Sequence, residues 1–221
     1  MKKILITLLA LIPMLLPAQE CVKFYDEMCD NLQAVFCDHI EEAEVRYISS
    51  PAGQYVGHLL NNTIYGWGHF LGENGSQCFG QYSRGQFMFG IIMDSRTAKV
   101  GSEKTFVEYD LTTGSVKRVH TIEGDAEYTA EELQPYTFQK ITYDNGDVYY
   151  GEVRNGRRHG YGIYYWTSGD FWYGRYINGY RQGYGALFKV DRKIFYGKWF
   201  GDKKTEGCNY TRQNQEKQHI Q

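Results

Sequence analysis

The chain has 221 residues, of which 42% are apolar, 16% aromatic and 23% charged, with a formal net charge of −2. That is enough apolar mass for one or two compact domains, and it excludes a strongly basic nucleic-acid binder and a highly charged disordered chain. Twenty tyrosines and 25 glycines beside only 4 prolines, with no G-X-Y period, exclude collagen and point to many short strands joined by tight turns.

Residues 1–18 read as a secretory signal. Lys2 and Lys3 form a basic start, Ile4 to Leu16 is an apolar run too short to span a bilayer comfortably, and Ala18 offers a small residue at the cut. Cleavage there leaves Gln19 at the new terminus and a mature net charge of −4. A retained membrane anchor is the alternative, and a lipid-anchored Cys21 is disfavoured because Gln19 and Glu20 are not small. No second hydrophobic stretch follows, so the expectation is an exported chain with no transmembrane span in its mature form.

Five cysteines then matter: Cys21, Cys29, Cys37, Cys78 and Cys208. The first three are eight residues apart, about 12 Å along one helix, beyond the roughly 7 Å a disulfide allows. Pairing needs a bend, or partners at Cys78 or Cys208, and the odd count leaves one thiol over. Cys29, Cys37 and His39 offer a metal reading, but no CxxC accompanies them, and no metal or cofactor is expected.

Residues 19–50 differ in texture from the rest. Phe24, Met28, Leu32, Val35, Phe36 and Ile40 follow helical spacing, so the pattern predicts one or two helices ending before Pro51 and packing against the start of a sheet.

From residue 51 a repeat takes over. Gly57 and Gly80 are 23 residues apart, and Gly151, Gly174 and Gly197 keep the same interval, each preceded by an aromatic or apolar pair. Five residues after each marker stands a turn former: Asn62, Gly85, Gly156, Gly179 and Asp202. Nine and eleven after it come Gly66/Gly68, Gly160/Gly162 and Gly183/Gly185. Each unit reads as a hairpin: a strand from Asp147 to Arg154, an Asn155-Gly156 turn, and a return strand through Trp166. Glycine weakens a strand unless something covers the bare backbone, so rings must lie over the glycine tracks. One such hairpin is marginal alone, whereas a stack buries a continuous aromatic layer.

The stretches Tyr150-Gly151-Glu152-Val153-Arg154-Asn155-Gly156-Arg157-Arg158-His159-Gly160-Tyr161-Gly162 and Gly169-Asp170-Phe171-Trp172-Tyr173-Gly174 resemble MORN repeats. The resemblance is specific over about 143–207 and degenerate over 51–93, where the unit at Gly80 has Phe89-Gly90-Ile91 in place of its GxG pair. The last unit also departs, with Glu206-Gly207 out of step. The resemblance implies a mainly β fold, an elongated antiparallel sheet of stacked MORN-type hairpins with a short N-terminal helical segment. Together with the signal and the helical spacing read above, it divides the chain into a signal (1–18), a helical segment (19–50), degenerate repeats (51–93), an inserted hairpin and acidic loop (94–140), clear repeats (141–207) and a polar flexible tail (208–221). Within the insert, Thr105 to Asp110 and Ser115 to His120 read as one more hairpin. One extended sheet with a decorated middle, or two short sheets, would follow.

No GxSxG, HExxH, Walker loop or GxGxxG is present, and no enzyme is expected. Asp147 and Asp170 could suggest paired carboxylates for glycoside cleavage, but their recurrence at unit starts reads as turn chemistry. A hydrolase within 94–140 is a further alternative. His159 stands where the MORN pattern has its histidine. Two features could carry binding. Residues 19–140 hold 9 basic and 18 acidic side chains, whereas 141–207 hold 11 and 7. Arg157, Arg158, Arg181, Lys203 and Lys204 recur six and seven residues after the markers and form a candidate anion-binding edge, whose plain alternative is a solvated turn. Tyr164, Tyr165, Trp166, Phe171, Trp172 and Tyr173 form a candidate aromatic binding face, open if the sheet is a single layer. The resemblance implies a binding or scaffold protein, with a protein partner or self-association first, membrane lipids or a glycan as alternatives, and no nucleic acid.

Overall fold

The computed structural model describes residues 43–121, 124–126, 136–191, 193–211 and 218–220. Every regular element in them is a strand, and every pairing is antiparallel between chain neighbours. The first sheet holds β1 (Glu44–Ser50), β2 (Gly53–Leu60), β3 (Thr63–Gly72), β4 (Gln77–Ser83), β5 (Gln86–Met93), β6 (Thr97–Gly101), β7 (Phe106–Asp110), β8 (Val116–Thr121) and β9 (Gly124–Ala126). The second holds β10 (Tyr136–Thr142), β11 (Val148–Arg154), β12 (Arg157–Tyr165), β13 (Phe171–Ile177), β14 (Tyr180–Phe188), β15 (Lys193–Phe200), β16 (Lys203–Thr211) and β17 (Gln218–Ile220).

The repeat fixes the register through two rails of glycine. In the second sheet Gly151, Gly162, Gly174, Gly185, Gly197 and Gly207 pair in succession across six strands. In the first, Gly57, Gly68, Gly80, Gly90 and Gly101 do the same across five. At Gly57, Gly151, Gly174 and Gly197 glycine is required because a ring from two residues upstream lies on the rail, and at Gly90 and Gly101 because the facing backbone fills the Cβ position. A Cβ on Gly162 would fall inside the Tyr149 ring, and one on Gly174 would sit 2.5 Å from Trp172. The glycine two residues before the return-strand rail has a different task. Gly66, Gly160 and Gly183 hold φ of 73°, 64° and 73°, the left-handed turn that makes a bulge in the return strand. The turn itself uses Asn155 (φ 50°) with Gly156 and Asn178 (φ 51°) with Gly179, as a two-residue hairpin of this hand demands.

The bulge exposes a backbone N–H, and the residue after the marker satisfies it. Tyr161 N donates to Glu152 Oε2 at 2.7 Å, and Trp67 N donates to His58 Nδ1 at 3.2 Å in the equivalent place. This is why His58 and Glu152 are buried at this repeat position; Gln81 and Arg175 are buried at the same position in the intervening units.

The two sheets pack face to face. Trp67, Phe79, Phe89, Val107 and Tyr109 of the first share one core with Tyr136, Tyr161, Ile163, Tyr173 and Tyr196 of the second. Trp67 lies 5.0 Å from Tyr173 and Phe89 4.7 Å from Tyr161, ring centre to ring centre, and Tyr109 OH donates to Glu152 Oε1 at 2.6 Å. A second cluster of Tyr149, Val153, Trp172, Tyr176, Phe195 and Trp199 covers the outer face of the second sheet.

Several expectations change. Of the two arrangements expected, the structure has two sheets, and they bury each other's inner faces instead of leaving an open layer. Residues 44–50, read as helical, are β1, because all seven pair in register with β2 and Val45 enters the shared core. The rest of the helical segment and the signal lie outside the described residues, as do Cys21, Cys29, Cys37 and His39. In the first half of the insert β6 to β9 continue the first sheet, β6 carrying its glycine rail to Gly101, and the expected hairpin is β7 and β8. Glu206-Gly207 is brought back into step by an irregularity at Lys198/Trp199. Strand pairing also runs to Thr211 and resumes at Gln218–Ile220, within the stretch expected to be a flexible tail.

Candidate functional site

The hairpin tips of the second sheet bring the recurring cations together and sort them into two sets. Seven residues after the markers stand Arg158, Arg181 and Lys204, and all three lie over rings of the outer face. The Arg158 guanidinium carbon is 5.9, 5.1 and 4.9 Å from the centres of Tyr143, Tyr164 and Tyr176. That of Arg181 is 4.2 Å from Trp199 and 5.8 Å from Trp166. Lys204 Nζ is 4.0 Å from Phe195, and burial with the nearby Lys189 and Arg181 charges holds its pKa below the usual lysine range. The arginines are also tied to the next turn. Arg158 Nη2 donates to Gly179 O at 2.7 Å, and Arg181 donates to Asp202 O at 3.2 Å and to Asp202 Oδ1 at 2.9 Å. These guanidiniums brace one hairpin against the following one.

Six residues after the markers stand Arg157, Tyr180 and Lys203, all exposed. Arg157 pairs across its turn with Arg154, Tyr180 with Ile177, and Lys203 with Phe200. Tyr180 is 58% exposed and Phe200 69%, large for such side chains. The result is a rim along one end of the sheet on which Arg157 and Lys203 alternate with two exposed rings. The five expected cations are therefore not one surface: Arg157 and Lys203 face solvent, Arg158 and Arg181 are engaged within the fold, and Lys204 lies over Phe195. Tyr180 as a binding ring and Phe200 at all escaped the sequence reading. Their signal is positional, since each is an aromatic beside a tip where the other units carry polar or aliphatic residues.

The six aromatics expected on one face are split by strand alternation. Tyr165, Phe171 and Tyr173 point between the sheets. Phe171 stacks on Phe188 at 4.5 Å, Tyr173 is 1% exposed, and Tyr165 OH donates to Gln77 Oε1 at 3.4 Å. Tyr164, Trp166 and Trp172 are on the outer face, where Trp172 is fully buried and Trp166 lies against Tyr164 and under Arg181. Trp172 covers Gly174 and Gly185 of the rail, and the arginines lie over all three rings, Arg158 over Tyr164 and Arg181 over Trp166 and Trp172.

The carboxylates at the unit starts bind turn backbone. Asp147 Oδ1 accepts from Thr167 N and Asp170 Oδ1 from Val190 N, each at 3.0 Å. His159 is buried beside Tyr136. Cys78 is a free thiol that receives the Tyr82 hydroxyl at 3.0 Å, and burial pushes its pKa up to about 11. Among the described residues no group of His, Cys, Asp and Glu is placed to hold a metal, and no helix is long and apolar enough to cross a membrane.

Residues 149–171 match the MORN repeat family. This is one full period, from the first strand of a clear unit to the start of the next. No curated protein matches the chain. Among solved structures, the chain is similar to the SAS-4 (dCPAP) TCP domain in complex with a proline-rich motif of Ana2 (dSTIL), from Drosophila melanogaster. That likeness has 11% identity, covers 80% of this chain and 89% of that one, and has a TM-score of 0.26. It is also similar to BamB from Moraxella catarrhalis, at 13% identity over 76% of this chain and 74% of that one, with a TM-score of 0.19.

Proposed function

We propose that this chain, which carries a MORN repeat within a two-sheet β fold, is an exported, non-enzymatic binding scaffold whose hairpin-tip rim meets an anionic surface, the headgroups of a membrane. MORN repeats are often involved in binding. The single observation that carries the reading is the rim itself: Arg157 and Lys203 in solvent beside Tyr180 and Phe200, the latter 69% exposed. A cation alone suits any anion in water. A cation beside an exposed ring suits a boundary where charge meets hydrocarbon, because the ring loses water contact there while the charge keeps its partner. The strand ends beneath are held by hairpin turns and by the Arg158 and Arg181 bonds, so the rim is presented by a rigid support.

Sedimentation with vesicles tests it. Vesicles carrying anionic lipid are expected to pull down the mature chain, and neutral vesicles are not. Binding should weaken as salt rises from 50 to 300 mM. Arg157→Ala with Lys203→Ala should reduce it at least tenfold, and Phe200→Ser should reduce it several-fold at every salt concentration. Equal binding to neutral and anionic vesicles, or none to either, would overturn the reading.

A further inference from the structure

The three hairpin tips that form the rim differ in kind. The first, Arg154-Asn155-Gly156-Arg157, carries two cations. The second, Ile177-Asn178-Gly179-Tyr180, carries no charge, and the third, Phe200-Gly201-Asp202-Lys203, carries a ring and both signs. The packing then engages charges until one is left at each flank. Arg154 Nη1 donates to Tyr136 OH at 3.1 Å, and its guanidinium carbon lies 5.3 Å from the centre of that ring. Asp202, the acidic side chain of the third tip, is bonded by Arg181 Nε at 2.9 Å. Arg157 and Lys203 stand in solvent. Their sequence neighbours do not reinforce them, because Arg158 and Lys204 occupy the other side of their strands, over Tyr176 and Phe195. Between the flanks comes an apolar step, the cross-strand pair of Ile177 and Tyr180, whose ring is 58% exposed.

Spacing decides what such a rim can read. Arg157 opens β12, Tyr180 opens β14 and Lys203 opens β16, so each lies two strands from the next. At about 4.8 Å per strand the two cations are roughly 19 Å apart along the rim, with Tyr180 about 10 Å from either. A group bearing several phosphates is held by cations that converge on it through charge-assisted bonds. Here each free cation meets one anion, and no single headgroup reaches both. We propose, on the membrane reading given above, that the rim recognises a field of singly charged headgroups. One anion sits at Arg157 and another at Lys203, and the Tyr180 ring is set between them into the apolar layer. At that boundary the ring buries its face while its hydroxyl stays among the headgroups. A polyphosphorylated headgroup gains nothing over the same charge spread across the surface.

Two sets of vesicles at equal surface charge, one carrying phosphatidylserine and the other a phosphatidylinositol bisphosphate, test this with the unaltered chain. Affinities are expected to agree within about threefold, and soluble inositol hexakisphosphate is expected to release no more chain than salt of equal ionic strength does. Arg157→Ala and Lys203→Ala should weaken binding by independent factors that multiply in the double variant, as for sites more than about 10 Å apart. Tyr180→Trp should be quenched by bromine-labelled acyl chains beyond the quenching of the parent chain. A preference above about tenfold for the bisphosphate, the mark of converging charge-assisted bonds, would overturn the proposal and leave a membrane-binding rim. Release by inositol hexakisphosphate, strong coupling between Arg157 and Lys203, or a tryptophan at 180 that bromine does not reach would do the same. Absence of binding to both vesicle sets would remove the membrane reading itself, and this proposal with it.

Discussion

The two sheets are built on one plan and finished differently. Both carry a glycine rail, and both have a slot two residues upstream of each marker for the ring that covers it. The second sheet fills that slot with Tyr149, Trp172 and Phe195; the first fills it with Tyr55 and then with Cys78. A thiol cannot cover a rail, and Phe87, seven residues after the marker, reaches over Gly80 instead. That same slot holds Arg158, Arg181 and Lys204 in the second sheet. So one position supplies either a second apolar cover or a charged roof over an existing ring. What the repeat conserves is covered backbone, and the means of covering it is free to vary. The sheet with rings in the first slot can spare the other for cations, and only that sheet has a basic rim.

The largest expected effect comes from disturbing the rail. Gly162→Ala places a methyl group inside the Tyr149 ring, beneath a side chain that is fully buried and whose hydroxyl is held by Glu152 O at 2.8 Å. The ring cannot lift without leaving the outer cluster, so a loss of about 3 kcal/mol in urea unfolding is expected. Gly156→Ala is the control: no atom lies within 4 Å of its Cβ position, and only the positive φ of 71° opposes it, which costs about 1 kcal/mol. Equal losses at the two sites would mean that backbone conformation, and not the ring above, is what selects glycine on the rail.

That division also marks what a sequence can disclose. The hairpins of 143–207 were legible because a glycine has two jobs there, at spacings that repeat. The turn asparagines and the hairpin of β7 and β8 were legible for the same local reasons. The pairing of the two sheets was not, since Trp67 meeting Tyr173 is a contact over more than 100 residues and no local pattern encodes it. β1 was misread because its inner and outer residues, Val45 and Ile48, also fit a helical interval when an apolar segment runs into them. At the rim, the cations were visible as a row, but their division was not. Whether a guanidinium faces water or a tyrosine depends on which side of the strand it occupies, and adjacent positions such as Arg157 and Arg158 take opposite sides.

The sheets also differ in how they should answer to pH. Glu152 is fully buried, and desolvation raises its pKa well above the ordinary 4.5. Unfolded, it ionises freely above about pH 4.5; folded, it keeps its proton to higher pH. Its effect is therefore to lower stability as pH rises above 4.5 towards its folded value, by at most about 1.4 kcal/mol per pH unit. His69 in the first sheet acts in the opposite sense. Burial lowers its pKa from 6.5 to about 4, so its favourable contribution is complete above 6.5 and is lost as pH falls from 6.5 to 4, by at most about 3 kcal/mol in all. Urea midpoints measured from pH 4 to 8 should flatten on the alkaline side in Glu152→Gln and on the acidic side in His69→Phe. A variant that changes the wrong limb would show that the two buried groups do not set these slopes.

The smallest effect expected is at the charged roof. Arg158→Met keeps a long apolar stem over Tyr164 and Tyr176 but removes the bond to Gly179 O and the charge above three rings. A net loss of about 1–2 kcal/mol is expected, the sum of one charge-assisted bond to a carbonyl and a partly exposed cation–ring contact. Lys204→Met should lose less than half as much, because among the described residues no bond ties its ammonium group to a neighbouring turn and the side chain is more exposed. The vesicle assay then separates structure from recognition: Arg158→Met should leave binding within about twofold, while Arg157→Ala, one residue away on the opposite side of the strand, reduces it. If both substitutions weakened binding equally at matched stability, the engaged guanidiniums would belong to the recognition surface, and the sorting of one cation row into brace and rim would fail.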